Sequence, residues 1–177
     1  MKRSYRLGIV LGVLLVSRLS FSGDAEKRAT PKEDCDVLMS ELVPFARQML
    51  GKHHGFFPFG ATMSSSDKVA RTEMPAGDQQ PKELVGLIEQ GFIDGARRGS
   101  YKATALALDV KTVPPGQKEM RSAVEVRLDH RDNYSVRVVF PYSYNLAGEL
   151  ILDPPFAVPG EKKIFAPSVA SQARPAH

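Results

Sequence analysis

The amino-acid sequence predicts an α+β fold in which an antiparallel sheet of about five strands carries two helices packed on one face. Two segments repeat apolar residues at the three- and four-residue spacing of amphipathic helices. Three later segments alternate apolar residues with polar or small ones, which is the period of a strand with one buried face. Hairpins need no crossover, and each helix has one apolar stripe. An antiparallel sheet with both helices on one face, in the order α-β-β-α-β-β-β, is therefore the simplest arrangement.

The first helix is predicted to begin after Thr30. The Thr30 hydroxyl can accept a hydrogen bond from an early backbone N–H, Pro31 suits the first helical position, and Glu33 can reach back to the cap. The apolar stripe that follows consists of Leu38, Leu42, Phe45 and Met49. The helix is expected to end near Gly51, with a kink or break at Pro44 because proline removes one intrahelical hydrogen bond.

The first hairpin is predicted from residues 56–63 and 68–72, two short segments on either side of a Ser-rich turn. Pro58 has no N–H to donate to a sheet. We therefore expect its strand to lie at an edge or to begin after the proline.

The second helix is predicted from an apolar stripe within residues 84–96, with Gly99 ending it. Gly91 and Gly95 lie on the stripe itself, where glycine has a low helix propensity. Close contact with the sheet would compensate for this cost. The strand at residues 103–110 has alanines on one face, which would allow such an approach.

The clearest hairpin turns at residues 130–133, and two registers keep its apolar face intact. In the first register Glu125 faces Arg137. In the second, Arg127 faces Arg137 and Asn133 adopts the left-handed conformation. Cross-strand charge favours the first and turn chemistry favours the second, and we give preference to the first.

The first 22 residues have the order of a secretory signal peptide. Basic residues precede an apolar run of ten, which is too short to span a bilayer, and small residues follow. We predict export to the periplasm or the exterior, with cleavage after Ser22. Arg18 lies late in this segment, which leaves retention of the leader as an anchor open.

The remaining chain is expected to form one α+β domain over residues 30–165, after a flexible lead-in at residues 23–29. A further strand is expected at residues 149–152, and its extension around a proline bend to residues 164–165 is left open. Residues 166–177 are rich in Pro, Ala and Ser and have no apolar period, so we expect a disordered tail.

The charge balance argues against nucleic-acid and membrane partners. The whole chain has a net charge of +4, but four of its 24 basic residues precede Gly23 and all 20 acidic residues follow it. The mature chain would therefore be neutral, whereas binding to phosphates or to an anionic membrane needs a surplus of basic residues. We expect a protein or small-molecule partner, no nucleic acid and no stable membrane span after cleavage, and the oligomeric state stays open.

The cysteine and two of the histidines give no strong chemical signal. Cys35 is the only cysteine, so an intramolecular disulfide is excluded and an intermolecular one is left open. Acidic neighbours disfavour its thiolate, and we expect a partly buried, unreactive thiol. His53 and His54 lack further ligands at metal-binding spacing, so neither a metal site nor a cofactor is expected.

The predicted binding surface is the turn of the central hairpin, with His130, Arg131, Asp132 and Tyr134 as its residues. These side chains offer varied hydrogen bonding on an exposed turn. No nucleophile, base or paired-carboxylate motif is present, so the sequence favours a non-catalytic binding or interaction domain over an enzyme. Two alternatives remain: a secreted hydrolase that uses His53, His54 or His130, and an inhibitor that blocks a partner enzyme with the turn.

Two resemblances accompany these patterns. The element order over residues 30–152 resembles that of the roadblock, longin and profilin-like domains, which implies an interaction module that binds through its sheet or sheet edge. Residues 57–60 (Phe-Pro-Phe-Gly) and 130–136 (His-Arg-Asp-Asn-Tyr-Ser-Val) are similar to phrases in a family of small, uncharacterised bacterial exported proteins.

Overall fold

A computed structural model describes residues 29–73 and 79–166 of the protein. The predicted leader lies outside these residues, as do all but one residue each of the predicted lead-in and tail. The helices are α1 (Pro31–His53) and α2 (Pro81–Arg97). The strands are β1 (Phe59–Ser64), β2 (Val69–Glu73), β3 (Tyr101–Thr112), β4 (Arg121–His130), β5 (Tyr134–Tyr144), β6 (Leu150–Leu152) and β7 (Phe156–Pro159). Neither helix combines the length and hydrophobicity needed to cross a membrane.

The predicted α+β class is confirmed, and the chain order begins as predicted. All strand pairs are antiparallel, in the order β2-β1-β3-β4-β5-β6, and β7 also pairs with β5. The described sheet has seven strands rather than about five. The strand expected at residues 149–152 is β6, and the chain after the proline bend forms a separate short strand, β7, whose four residues show little alternation. After the proline bend, β7 ends at Pro159 and does not reach residues 164–165.

Helix α1 begins as predicted and continues through Pro44. The Thr30 hydroxyl accepts a hydrogen bond from the Glu33 N–H at 3.2 Å, and the Glu33 carboxylate accepts one from the Thr30 N–H at 2.6 Å. The predicted break at Pro44 does not occur, because the proline lies on the exposed side of a helix whose other side is packed on the sheet. His54, with a φ of 56°, forms the C-cap.

The two helices lie on opposite faces of the sheet, and the prediction of both on one face is wrong. Ala105 and Ala107 of β3 belong to the core beneath α1, whereas Leu106 and Leu108 of the same strand belong to the cluster beneath α2. Successive side chains of a strand point to opposite faces. Both faces of β3 are apolar, so each needs a cover, and the alanine face packs against α1 rather than the glycine-rich α2.

The larger core lies between α1 and the sheet. Its main buried side chains are Cys35, Leu38, Leu42, Leu50, Phe59, Met63, Val124, Val126, Leu128 and Tyr142. A smaller cluster lies under α2 and consists of Ile88, Phe92, Leu106 and Leu108. Because α2 packs mainly on β3 and β1, the part of this face formed by β4 and β5 is left without a helix above it.

The central hairpin adopts the second of the two predicted registers, and the preferred first register is wrong. Arg127 faces Arg137, and Asn133 has a φ of 63°. The two arginines do not need a directly opposed carboxylate, because Glu125 reaches both of them. Its Oε1 lies 2.7 Å from Arg127 Nε and its Oε2 lies 3.6 Å from Arg137 Nη1. Turn chemistry therefore sets the register, and the diagonal contacts balance the charge.

Gly91 and Gly95 provide a matched test of packing in α2. A methyl group at Gly95 would lie 2.0 Å from the Tyr101 ring, whereas one at Gly91 would meet nothing within 4 Å. The predicted close contact is thus confirmed for Gly95 and wrong for Gly91. We expect Gly91→Ala to raise the free energy of unfolding by about 1 kcal/mol, and Gly95→Ala to lower it by about 1–3 kcal/mol through overpacking. Urea unfolding measures both, and effects of the same sign would contradict this interpretation.

Candidate functional site

The turn between β4 and β5 is exposed at its side chains and fixed at its backbone. The Arg131 and Asp132 side chains face solvent. The Arg131 N–H donates to the Lys102 carbonyl at 2.9 Å, and the Asp132 N–H donates to His130 Nδ1 at 3.0 Å. Neighbouring strand and side-chain atoms therefore hold two successive peptide groups of the turn in place.

His130 is buried rather than displayed on this surface, with 3% of its area exposed, so its predicted exposure is wrong. Its Nε2 lies 3.1 Å from Asp34 Oδ2. Because Nδ1 accepts a hydrogen bond from the Asp132 N–H, Nε2 carries the ring proton and donates to Asp34. His130 continues the alternation of Val124, Val126 and Leu128, and this pattern is a sequence signal for a side chain that faces the core.

Lys102 completes a buried charge cluster with Asp34 and His130. Its ammonium lies 2.7 Å from Asp34 Oδ2 and also pairs with the exposed Asp67 carboxylate. Burial opposes the charge on Lys102, but hydrogen bonds and attraction to Asp34 and Asp67 outweigh this effect and raise its pKa. The cluster links the first turn of α1, the β1–β2 turn, the start of β3 and the end of β4.

Three turns meet above this cluster. The Arg131 guanidinium donates to Ser65 Oγ at 3.3 Å, and the Ser65 hydroxyl lies 3.3 Å from the Gly99 carbonyl that accepts its hydrogen bond. The β1–β2, α2–β3 and β4–β5 turns are thus connected. We call the exposed side chains of Ser65, Asp67, Arg131 and Asp132 the tip surface. It carries both signs of charge.

Tyr134 is the first residue of β5 and only partly belongs to this surface. Its ring is half-buried and packs against the core beneath α1. Burial is the main reason that the pKa of Tyr134 is raised. Of the four predicted residues, Arg131 and Asp132 are therefore exposed and Tyr134 is half-buried. His130 is buried and positions the turn.

Cys35 lies beside the buried cluster and is itself fully buried. Burial, followed by the negative charges of Asp34, Asp129 and Asp36, raises the pKa of its thiol to about 12. A thiol with this pKa is protonated at neutral pH and is a poor nucleophile.

Among the described histidines, His130 does not approach His53 or His54. His130 contacts Asp34 in the first turn of α1, whereas His53 is the last residue of the same helix. At about 1.5 Å per residue, Asp34 and His53 are about 28 Å apart along the helix. The His54 ring packs on Tyr144, with 4.8 Å between ring centroids. Within the described residues no group of three or more His, Cys, Asp or Glu side chains is placed to hold a metal ion.

A cleft on the α2 face is a feature that the sequence did not predict. Its floor is formed by β3, β4 and β5, and its walls by α2 and by residues 160–164. The polar lining residues are Glu89, Thr104, Arg127, Asp129, Ser135, Arg137, Glu161 and Lys163. Alternation along β4 and β5 indicates that polar residues face away from α1, but it does not show that a distant segment covers them.

Comparisons of the chain with protein-family models, with curated proteins and with solved structures give no match. The two resemblances stated for the sequence therefore stay predictions.

Proposed function

We propose that the protein is an exported, non-catalytic interaction domain that binds a partner protein through the tip surface. The order of charge, apolar run and small residues in the first 22 residues supports export. The buried charge cluster beneath the tip surface is the observation that carries the binding proposal. Its His130 ring accepts the hydrogen bond of the Asp132 N–H, and the backbone carbonyl of Lys102 accepts that of the Arg131 N–H.

The energetics of the cluster support a role beyond stability. A buried ion pair contributes no more to folding than well-packed apolar side chains do, because desolvation offsets the attraction between the charges. Asp34 and Lys102 nevertheless lie where three turns meet. What they add there is a defined arrangement of the turns. A surface that is already ordered loses less conformational freedom when it binds.

The shape and chemistry of the tip surface favour a protein over a small molecule. Small-molecule sites are concave, whereas these side chains project from connected turns. Arg131 is half-exposed, and arginine is among the residues most often found at the energetic centre of protein interfaces. Asp67 and Asp132 add acceptors of the opposite charge. The inhibitor alternative would use the same surface, with an enzyme as the partner.

The hydrolase alternative has weaker support. Both ring nitrogens of His130 already make hydrogen bonds, and His53 and His54 lie at the other end of α1. The nearby thiol of Cys35 is buried and protonated. A catalytic histidine needs a reacting group within hydrogen-bond reach, and none of these arrangements supplies one.

The experiment begins with the exported form. Mass spectrometry of protein recovered from the cell envelope or the medium should give an N-terminus near Gly23, and this form then serves as bait for a partner.

We expect the double variant Arg131→Ala/Asp132→Ala to bind the captured partner at least tenfold more weakly in calorimetric titration. A tenfold loss corresponds to about 1.4 kcal/mol. The melting temperature should stay nearly unchanged.

The matched control is Lys118→Ala/Glu119→Ala, which removes one exposed basic and one exposed acidic side chain from the β3–β4 loop at the other end of the sheet. Its affinity should equal that of the parent. Undiminished binding by the tip variant would remove the tip surface from the interface. A hydrolytic activity that disappears when His53, His54 and His130 are changed together to Ala would establish the hydrolase alternative instead.

A further inference from the structure

Residues 160–164 form the side of the cleft that faces α2, and together with residues 165–166 we call this segment the strap. On the sheet side it is held by its backbone. The Ile164 N–H donates to Asp129 Oδ2 at 2.8 Å, and the Lys162 N–H donates to Ser135 Oγ at 3.2 Å. The Gly160 N–H donates to the Ser135 carbonyl at 3.2 Å.

On the helix side the strap is held by two adjacent side chains. The Lys163 ammonium pairs with the buried Glu89 carboxylate of α2. The Ile164 side chain packs against the apolar cluster of Ile88 and Phe92. The strap is therefore held through backbone amides, one basic side chain and one apolar side chain, which are the groups through which a peptide ligand is bound.

The strap fills the cleft incompletely. Asp129 is 7% exposed, and its Oδ1 has no hydrogen-bond partner among the described residues. Arg137 Nε is likewise buried and has no partner there. A cavity of about 40 Å³ remains beside them. One unpaired acceptor and one unpaired donor, both buried, make this closed arrangement less stable than one in which both are satisfied.

The strap backbone also contains an unfavourable residue. Lys162 has a φ of 51°, which residues other than glycine and asparagine rarely adopt. Burial is the main reason that the pKa of Asp129 is raised, and hydrogen bonds from Ile164, Ser135 and Lys163 offset this effect only in part. Together these features describe an occupant that fits the cleft imperfectly.

We infer that the cleft is a binding site for an extended peptide of a partner protein, and that the strap is an intramolecular occupant which this peptide displaces. The peptide carries a basic residue directly before an apolar one, so that its cation reaches Glu89 and its apolar side chain reaches Ile88 and Phe92. Its backbone supplies an N–H to Asp129 and a carbonyl to Arg137. This site is separate from the tip surface, and neither proposal depends on the other.

The test uses the full chain and a labelled synthetic peptide with the strap sequence, Gly-Glu-Lys-Lys-Ile-Phe-Ala. Fluorescence anisotropy gives its affinity for the parent and for Lys163→Glu/Ile164→Asp, a variant whose own strap no longer fits the cleft. We expect the peptide to bind the variant at least tenfold more tightly, because the parent's strap competes. If the double variant does not melt cooperatively, Lys163→Ala, which keeps Ile164 in place, gives the same comparison.

Two controls locate the binding. A peptide with the same lysine and isoleucine changed to Glu and Asp should not bind. In the Lys163→Glu/Ile164→Asp variant, adding Glu89→Gln should weaken peptide binding at least fivefold. Adding Glu119→Gln, in the exposed β3–β4 loop, should leave peptide binding unchanged.

Hydrogen exchange of the parent gives a second measurement. Excess peptide should accelerate exchange at the amides of residues 162 and 164, because the strap leaves its site. Unchanged exchange, equal affinity for parent and variant, or no binding to either would overturn the inference. Dimerisation of the parent through exchanged straps, with no response to peptide, would overturn it in favour of a second copy of the chain.

Discussion

Replacing Val126 with Asp is expected to unfold the domain. Val126 has 0% of its area exposed and lies in the middle of β4, between Ala107 of β3 and Val138 of β5. Its side chain faces the core beneath α1. A carboxylate there would lose its hydration and gain no partner, at a cost of several kcal/mol. That is comparable with the whole stability of a small domain, about 5–15 kcal/mol.

Circular dichroism during heating and in urea measures this effect. Val136→Asp, at a half-buried position of β5, should destabilise in the same direction but less strongly. Val113→Asp is the control, because this valine is 48% exposed, and its melting temperature should match that of the parent. If Val126→Asp melted within a few degrees of the parent, the assignment of the buried face would be wrong.

Replacing Asp34 with Ala is expected to lower the free energy of unfolding by about 3 kcal/mol. The loss leaves the buried Lys102 ammonium and the His130 Nε2–H without their shared acceptor, and breaking a buried pair in this way typically costs about 3–5 kcal/mol. We place the effect at the lower end because Asp67 still pairs with Lys102. Urea unfolding gives the value.

Asp36→Ala is the matched control for this prediction. Asp36 lies two residues along the same helix, and among the described residues it forms an exposed ion pair with Lys32, with 2.6 Å between Oδ2 and Nζ. Exposed pairs contribute little to stability because water already solvates both charges. We expect little change in its stability, and equal losses in the two variants would mean that the cluster has no special role.

Features encoded within a few residues could be predicted from the sequence. The capping box at Thr30 marks the start of α1, and the alternation around residues 124–140 gives the central hairpin with its apolar face. These signals depend only on neighbours along the chain. The stop at Gly99 is equally local, since its φ of 70° suits a glycine at the end of a helix.

Features that depend on distant contacts could not be predicted. Each helix stripe is compatible with either face of a sheet, and the choice depends on β3 being apolar on both sides and needing two covers. Asp34 and His130 are 96 residues apart, so no local period reveals that they form a hydrogen bond. The cleft is equally non-local, because the strap that lies beside β4 and β5 follows β7 in the chain.

We claim that a buried charge cluster holds an exposed turn in one conformation, and hydrogen exchange at the amides of Arg131 and Asp132 measures this. Both amides donate hydrogen bonds, although the side chains of the turn face solvent. We predict strong protection at both amides in the parent and in Asp36→Ala, and loss of protection at Asp132 in Asp34→Ala. Exchange in the parent at the rate of an unstructured peptide, or undiminished protection in Asp34→Ala, would contradict the claim.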